Sequence, residues 1–240
     1  MYKKTIAKKD LEYHLLRTFI SNESLQLRVK SIESTETPDF IVRELTRDIS
    51  IEVTRLIHPH LIQVEAFQEN LVESAYRKFK EKYSAKLRVL VNFSNVPIKC
   101  KKSEIGMYVD QLHDLVEGIY LPNRKYSFNI SSRGRCRPIN HFIDSISVSN
   151  DLDFENWQPF GAYLVKDVDV DWIKRAIQEK EKNIKRYPTK FDENWLLLVA
   201  NFGHKSSTHG FGYLEQEKFA SQFDKIYLYK YMDNIIDQLK

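Results

Sequence analysis

The amino-acid sequence predicts an α/β fold, with an α+β variant on a mixed sheet left open. Helical stretches alternate along the chain with short apolar runs. Two of these runs, LRVLVNF at 87–93 and WLLLVANF at 195–202, are apolar almost throughout, the pattern of strands buried on both faces. The 240 residues are 42% hydrophobic and 29% charged, enough apolar surface to build a core and too much for a disordered chain. That length allows one large domain or two small ones. With no repeat, low-complexity block or clear linker, the chain reads as a single domain over 1–240.

The elements follow in order. A first helix fits 9–21, with Leu11, Leu15, Leu16, Phe19 and Ile20 as its apolar stripe. Strands are expected near 26–33, 38–43 and 49–54. A long helix fits 60–83, striped by Val64, Phe67, Leu71, Val72, Ala75 and Phe79. After the buried strand 87–93, a helix fits 103–118 and ends at Gly118. The stretch 119–160 reads as loop-rich with one strand, FIDSISV at 142–148. GAYLV at 161–165 reads as a further strand, and a helix fits 169–187, stopping before Pro188. GHKSSTHGFG at 203–212 reads as a mobile surface loop that can reach a substrate. KIYLYKY at 225–231 is a strand, and a short helix is expected to end the chain.

Several classes of function find no support. No run of eighteen apolar residues exists to span a membrane. The start, MYKKTIAKKD, is basic but has no apolar core or cleavage site, so no secretion signal is read. Cys100 and Cys136 are too few for a disulfide framework or a cysteine zinc site, and a cytoplasmic location is expected. Neither a Gly-rich phosphate loop nor a G-x-S-x-G elbow occurs. A net charge of +4 permits nucleic-acid binding without arguing for it. Two clusters say more: KCKK at 99–102, and Arg133, Arg135 and Arg137 in SSRGRCRP. They read either as solvated loops or as phosphate contacts.

The informative residues are charges on apolar faces. Glu12 falls within the stripe of the first helix, and Gln68 within that of the long one. In the helix over 169–187, Ile173, Ile177, Ile184 and Tyr187 line one side with Lys180 near its centre, while Lys182 points away. In ISIEVT, Ile51 and Val53 share one face of a strand, and Glu52 and Thr54 share the other. Asp39 follows Pro38 at the mouth of the neighbouring strand, so the right register brings Asp39 and Glu52 together. Buried charge is costly unless paired, neutralised or bound to metal. Each of these residues can instead sit where its element reaches solvent. Together, three carboxylates and a lysine on one cleft would suit magnesium or manganese, which prefer hard oxygen ligands.

A helix with a glutamate, Pro38-Asp39 on one strand, Glu52-x-Thr54 on the next, then a long helix and a buried strand resembles the PD-(D/E)XK nuclease superfamily. The resemblance covers roughly 9–93. It implies a restriction-endonuclease-like core, a mixed sheet flanked by helices, completed by C-terminal additions. It also implies magnesium held by Asp39 and Glu52, with Glu12 assisting. The family's lysine would stand where this chain has Thr54, whose hydroxyl can orient water but carries no charge. Lys180 is the best substitute by its face. His58 and His60 are the alternative, since a histidine near neutral pKa can act as base; HPH also reads simply as a helix start, with Pro59 favouring that turn.

The expectation is a magnesium- or manganese-dependent endonuclease acting on DNA rather than RNA. Asp39 and Glu52, with Glu12, hold the metal; Lys180, Thr54 or His60 handle water; Arg133, Arg135 and Arg137 grip phosphates. Double-strand cutting would need two sites and so a homodimer. Two alternatives stand beside it: a catalytically inactive nuclease-fold protein that binds nucleic acid, and an unrelated α/β protein using these charges as structural pairs.

Overall fold

The computed structural model describes residues 8–94, 100–132, 138–161, 164–214 and 217–240. The protein is mixed α/β, with four α-helices and two mixed sheets among those residues. It divides into two compact units. One joins residues 1–58 to 164–240, and the other is the intervening 59–163.

The first unit is built on a six-stranded sheet. Its elements are α1 (Lys8–Ile20), β1 (Ser31–Ser34), β2 (Phe40–Arg43) and β3 (Asp48–Arg55) from the N-terminal part of the chain. In the nomenclature of the whole chain, its C-terminal part supplies α4 (Val170–Ile184), β8 (Glu193–Ala200), β9 (Lys225–Lys230) and β10 (Ile235–Gln238). The strand order is β1-β2-β3-β8-β9-β10. β3, β8 and β9 run parallel in the centre, and the outer pairings are antiparallel.

The register decides which side chains face which layer. Ile49, Ile51 and Val53 of β3 join Trp195, Leu197 and Val199 of β8 in a core capped by Leu15, Leu16 and Phe19 of α1. Leu196, Leu198 and Ala200 point the other way, packing with Ile226 and Leu228 of β9 and with Ile173 and Ile177 of α4. The sheet is therefore buried on both faces, which is why β8 is apolar at every position from Trp195 to Ala200. Glu52 pairs in register with Leu196 and Thr54 with Leu198, so alternation puts both on the α4 side.

The second unit holds α2 (Pro59–Lys82), β4 (Arg88–Phe93), α3 (Ile105–Asn123), β5 (Asn129–Ser131), β6 (Ile143–Ser149) and β7 (Asn156–Pro159). Its sheet order is β5-β6-β4-β7, with only β4 and β7 parallel. Leu71, Val72, Ala75 and Phe79 of α2 and Leu112 and Val116 of α3 pack with Val89, Val91, Ile146 and Val148 from the strands. Gln68 is buried in α2 beside this stripe. β4, expected to complete the core over 9–93, belongs to this second sheet.

Several expected elements differ. The strand expected over 26–33 is a 3-10 turn at Glu23–Leu25 followed by a later strand, β1. α3 continues through Gly118 to Asn123, and Gly118 does not take the left-handed φ of a glycine that ends a helix. Pro122 sits in the final turn. The loop-rich middle contains β5 and β7 as well as β6. Residues 164 and 165 are not in a strand, and the rest of GAYLV is partly outside the described residues. The chain closes on β10 rather than a helix. Asn234 takes a left-handed φ of 52°, which asparagine tolerates, and reverses the chain so that Ile235 pairs with Lys230.

Candidate functional site

The charges singled out above meet within the first unit. Asp39 stands one residue before β2, and its Oδ2 accepts the backbone N–H of Val53 at 2.9 Å, which ties it to β3. Glu52 rises from the middle of β3 with its side chain 1% exposed. Lys180 arrives from α4, and its Nζ donates to Asp39 Oδ2 at 2.9 Å and to Glu52 Oε2 at 2.7 Å. Two more partners reach Glu52, one from the last turn of α4 and one from just beyond its end. Asn183 Nδ2, three residues beyond Lys180, donates to Oε2 at 3.2 Å, and the Tyr187 hydroxyl reaches Oε1 at 3.4 Å. Lys182 is mostly exposed and pairs with Glu179, as its position on the far side of α4 predicts.

A second cation completes the surroundings. Lys9 Nζ lies 3.7 Å from Asp39 Oδ1 and donates to the carbonyls of Thr35 and Asp39 at 2.6 and 2.9 Å. Its alkyl stem brings the ammonium over the Phe40 ring, 4.6 Å from the centroid.

The two carboxyls titrate in opposite directions. Burial works against charge on Asp39, but Lys180 and the Val53 N–H outweigh it and hold the carboxyl below its ordinary value. Glu52 is pushed up by burial, and by the negative charge of Asp39, beyond what Lys180 and Asn183 recover. Burial also disfavours the Lys180 ammonium, yet its two carboxylates raise its pKa, so it stays charged. The Tyr187 phenol is raised by burial and by Glu52, and remains protonated.

Other candidates lie elsewhere. Glu12 is buried, but it belongs to α1, which covers the sheet face opposite Glu52, and its carboxylate pairs with Lys8 at 3.6 Å. Among the described residues, ligand atoms of Glu12, Asp39 and Glu52 do not all lie within 4.8 Å of one another, although α1 does reach Asp39 through Lys9. Thr54 shares the Glu52 side of β3, and its Oγ1 is buried with no hydrogen-bond partner among the described residues. His60 is exposed in the first turn of α2, in the second unit. His58 is exposed and stacks on Trp172 at 5.0 Å, with His209 beside it at 5.2 Å. Arg133, Arg135, Arg137, Cys136 and Lys99 lie outside the described residues.

Lys9, Asn183 and Tyr187 escaped the sequence reading as polar partners. Tyr187 is legible as a member of the stripe expected over 169–187, although α4 ends at Ile184 and Tyr187 lies three residues past it, and Asn183 could have been found as the polar residue one turn beyond Lys180. Nothing in the sequence aims Lys9 at Asp39, because that contact depends on how α1 lies across the sheet.

No family model matches the chain, and neither does any curated protein or solved structure. No helix among the described residues is long and apolar enough to cross a membrane.

Proposed function

We propose that the protein is a metal-dependent nuclease that hydrolyses phosphodiester bonds of DNA. The observation that carries this reading is the convergence of Asp39, Glu52 and Lys180 on one point, 2.9 and 2.7 Å from the lysine nitrogen. Two carboxylates, one just before β2 and one on β3, with an ammonium between them are the chemical parts of a PD-(D/E)XK site. Here the lysine comes from α4 instead of the position held by Thr54.

The donor set fits magnesium or manganese. Each carboxylate commits one oxygen to Lys180, while Asp39 Oδ1 lies 3.7 Å from Lys9 and Glu52 Oε1 takes the long contact from Tyr187. Those two hard oxygens are the ones Asp39 and Glu52 would offer a cation. A bound ion would supply an acidified water and charge stabilisation at phosphorus. Lys180, kept protonated by its two partners, would present positive charge to the phosphate. Asn183 and Tyr187 hold the Glu52 carboxylate in place. The Thr54 hydroxyl, with an unspent donor, can orient a water molecule.

The test is cleavage of supercoiled plasmid and single-stranded DNA with magnesium or manganese, comparing wild type with Glu52→Gln and Lys180→Met. Expected is metal-dependent cutting that falls by about a hundredfold or more in both variants, since each removes a group acting on transition-state charge. Unimpaired cutting by folded Glu52→Gln would overturn the assignment. DNA binding without cutting, weakening steeply with salt and indifferent to metal, would favour the inactive binding module instead.

A further inference from the structure

We infer a second, separate metal site on α3, where His113 and Glu117 would bind a first-row transition ion such as zinc and Asp114 would position the imidazole. It lies wholly within the second unit and does not rest on the nuclease reading.

His113 is completely buried, unusual for a titratable ring whose neighbour in sequence is exposed. Its Nδ1 lies 2.9 Å from Asp114 Oδ1. A carboxylate there accepts a hydrogen bond from Nδ1–H, which leaves Nε2 as the lone-pair nitrogen. That nitrogen is buried and has no hydrogen-bond partner among the described residues. It faces Glu117 Oε1 at 3.8 Å.

The separation is diagnostic. It is too long for a hydrogen bond, so no shared proton joins the two atoms. Left alone, a buried lone pair facing a carboxylate oxygen is uncompensated. Yet 3.8 Å is slightly less than twice a zinc–ligand bond of about 2.0–2.1 Å, so both atoms can reach one ion lying just off the line between them. His113 and Glu117 are four residues apart and therefore stand one above the other on the helix. Oxygens of Asp114 and Glu117 and a nitrogen of His113 all lie within 4.8 Å of one another, the only such group among the described residues.

The surroundings supply the rest. Glu117 Oε1 accepts from the Tyr83 hydroxyl at 2.8 Å and from Lys82 at 3.2 Å. Tyr83 orients the carboxylate, as a supporting hydrogen bond does around many metal sites. Lys82, half exposed, can withdraw into solvent when a cation arrives. Imidazole with carboxylate suits zinc or its neighbours better than magnesium.

The experiment is zinc uptake by the full chain after chelator treatment, followed by calorimetry and by the X-ray absorption edge of the bound metal. It is done in the Asp39→Asn/Glu52→Gln background so that the other carboxylate pair contributes nothing. The expected result is one bound zinc with a single imidazole in its shell. Affinity should drop at least tenfold in Glu117→Gln, a near-isosteric change at a partly exposed side chain, with the fold checked by circular dichroism. Asp114→Asn should weaken binding by about 10–100-fold without removing the imidazole signal. No zinc uptake, or uptake equal in Glu117→Gln, would overturn the site. Binding through exposed histidines elsewhere would give that second result.

Discussion

At the scale of single residues, the cluster is a problem of unequal charge. Two carboxylates share the Lys180 ammonium, and the more buried one, Glu52, keeps its proton more readily than a free glutamate. Removing the lysine leaves Asp39 and Glu52 facing one another. Lys180→Met should therefore destabilise the protein by about 2 kcal/mol, less than the roughly 3–5 kcal/mol of a fully buried pair because a quarter of the lysine is exposed. Glu52→Gln should cost less than about 1 kcal/mol, since Asp39 keeps its partner and the repulsion between carboxylates disappears. The double variant should recover part of the Lys180→Met loss, because the repulsion that the single variant unmasks is gone. Denaturant midpoints for the four proteins check this; strictly additive effects would mean the groups do not interact. This cluster was legible in the sequence to the extent that faces are. Lys180 on an apolar stripe and Glu52 between buried isoleucine and valine both violate local pattern, and the violation marks the cluster. Glu12 violated its pattern in the same way but lies on the opposite side of the sheet. Periodicity tells which face of a helix is apolar, and does not tell which face of the sheet that helix covers.

At the scale of elements, long buried segments were readable and short edge segments were not. α1 and α2 follow their hydrophobic periodicity closely, α4 does so but ends three residues early at Ile184, and β4 and β8 are the continuous apolar runs expected of buried strands. β10 is four residues long, paired on one side by β9, and made by a turn at Asn234 that leaves no apolar pattern. The connection after β8 shows how an apparent surface loop can be structural. His209 is buried in it and its Nε2 lies 3.2 Å from the Leu56 carbonyl, joining the end of β3 to the loop. Burial lowers its pKa, opposed by the Leu56 carbonyl and reinforced by His58. The unfolded chain therefore takes up this proton at a higher pH than the folded protein. As pH falls through the ordinary histidine range, stability is lost until the depressed folded value is passed. His209→Gln keeps an amide donor for Leu56 but cannot titrate. Its unfolding free energy should fall less than that of wild type between neutral and mildly acidic pH, at about 1.4 kcal/mol per pKa unit of difference removed. Urea titrations across that range measure it, and parallel pH profiles would assign the acid sensitivity to other groups.

At the scale of the whole molecule, the chain departs from the single-core reading in one respect. The central parallel pair β3 and β8 is formed by segments more than a hundred residues apart, with the whole of the second unit between them. Such a pairing has no local signature, because each strand reads only as a buried apolar run whose partner could be any other. The core expected over 9–93 includes β4 for that reason, although β4 pairs with β6 and β7. The second unit has one apolar core, in which Phe79 is fully buried, and the first has a core on each face of its sheet, Leu196 being fully buried on the α4 side. Truncating either to alanine should cost about 2–5 kcal/mol within its own unit. The tryptophans report on the units separately, Trp157 on the second and Trp172 and Trp195 on the first. With Trp172 and Trp195 replaced by phenylalanine, the remaining Trp157 fluorescence should show its denaturant midpoint falling sharply on Phe79→Ala and little on Leu196→Ala. A protein retaining only Trp195 should show the reverse. Equal shifts in both reporters would mean that the two cores unfold as one cooperative body, whereas opposite sensitivities would establish two domains, each with its own stability.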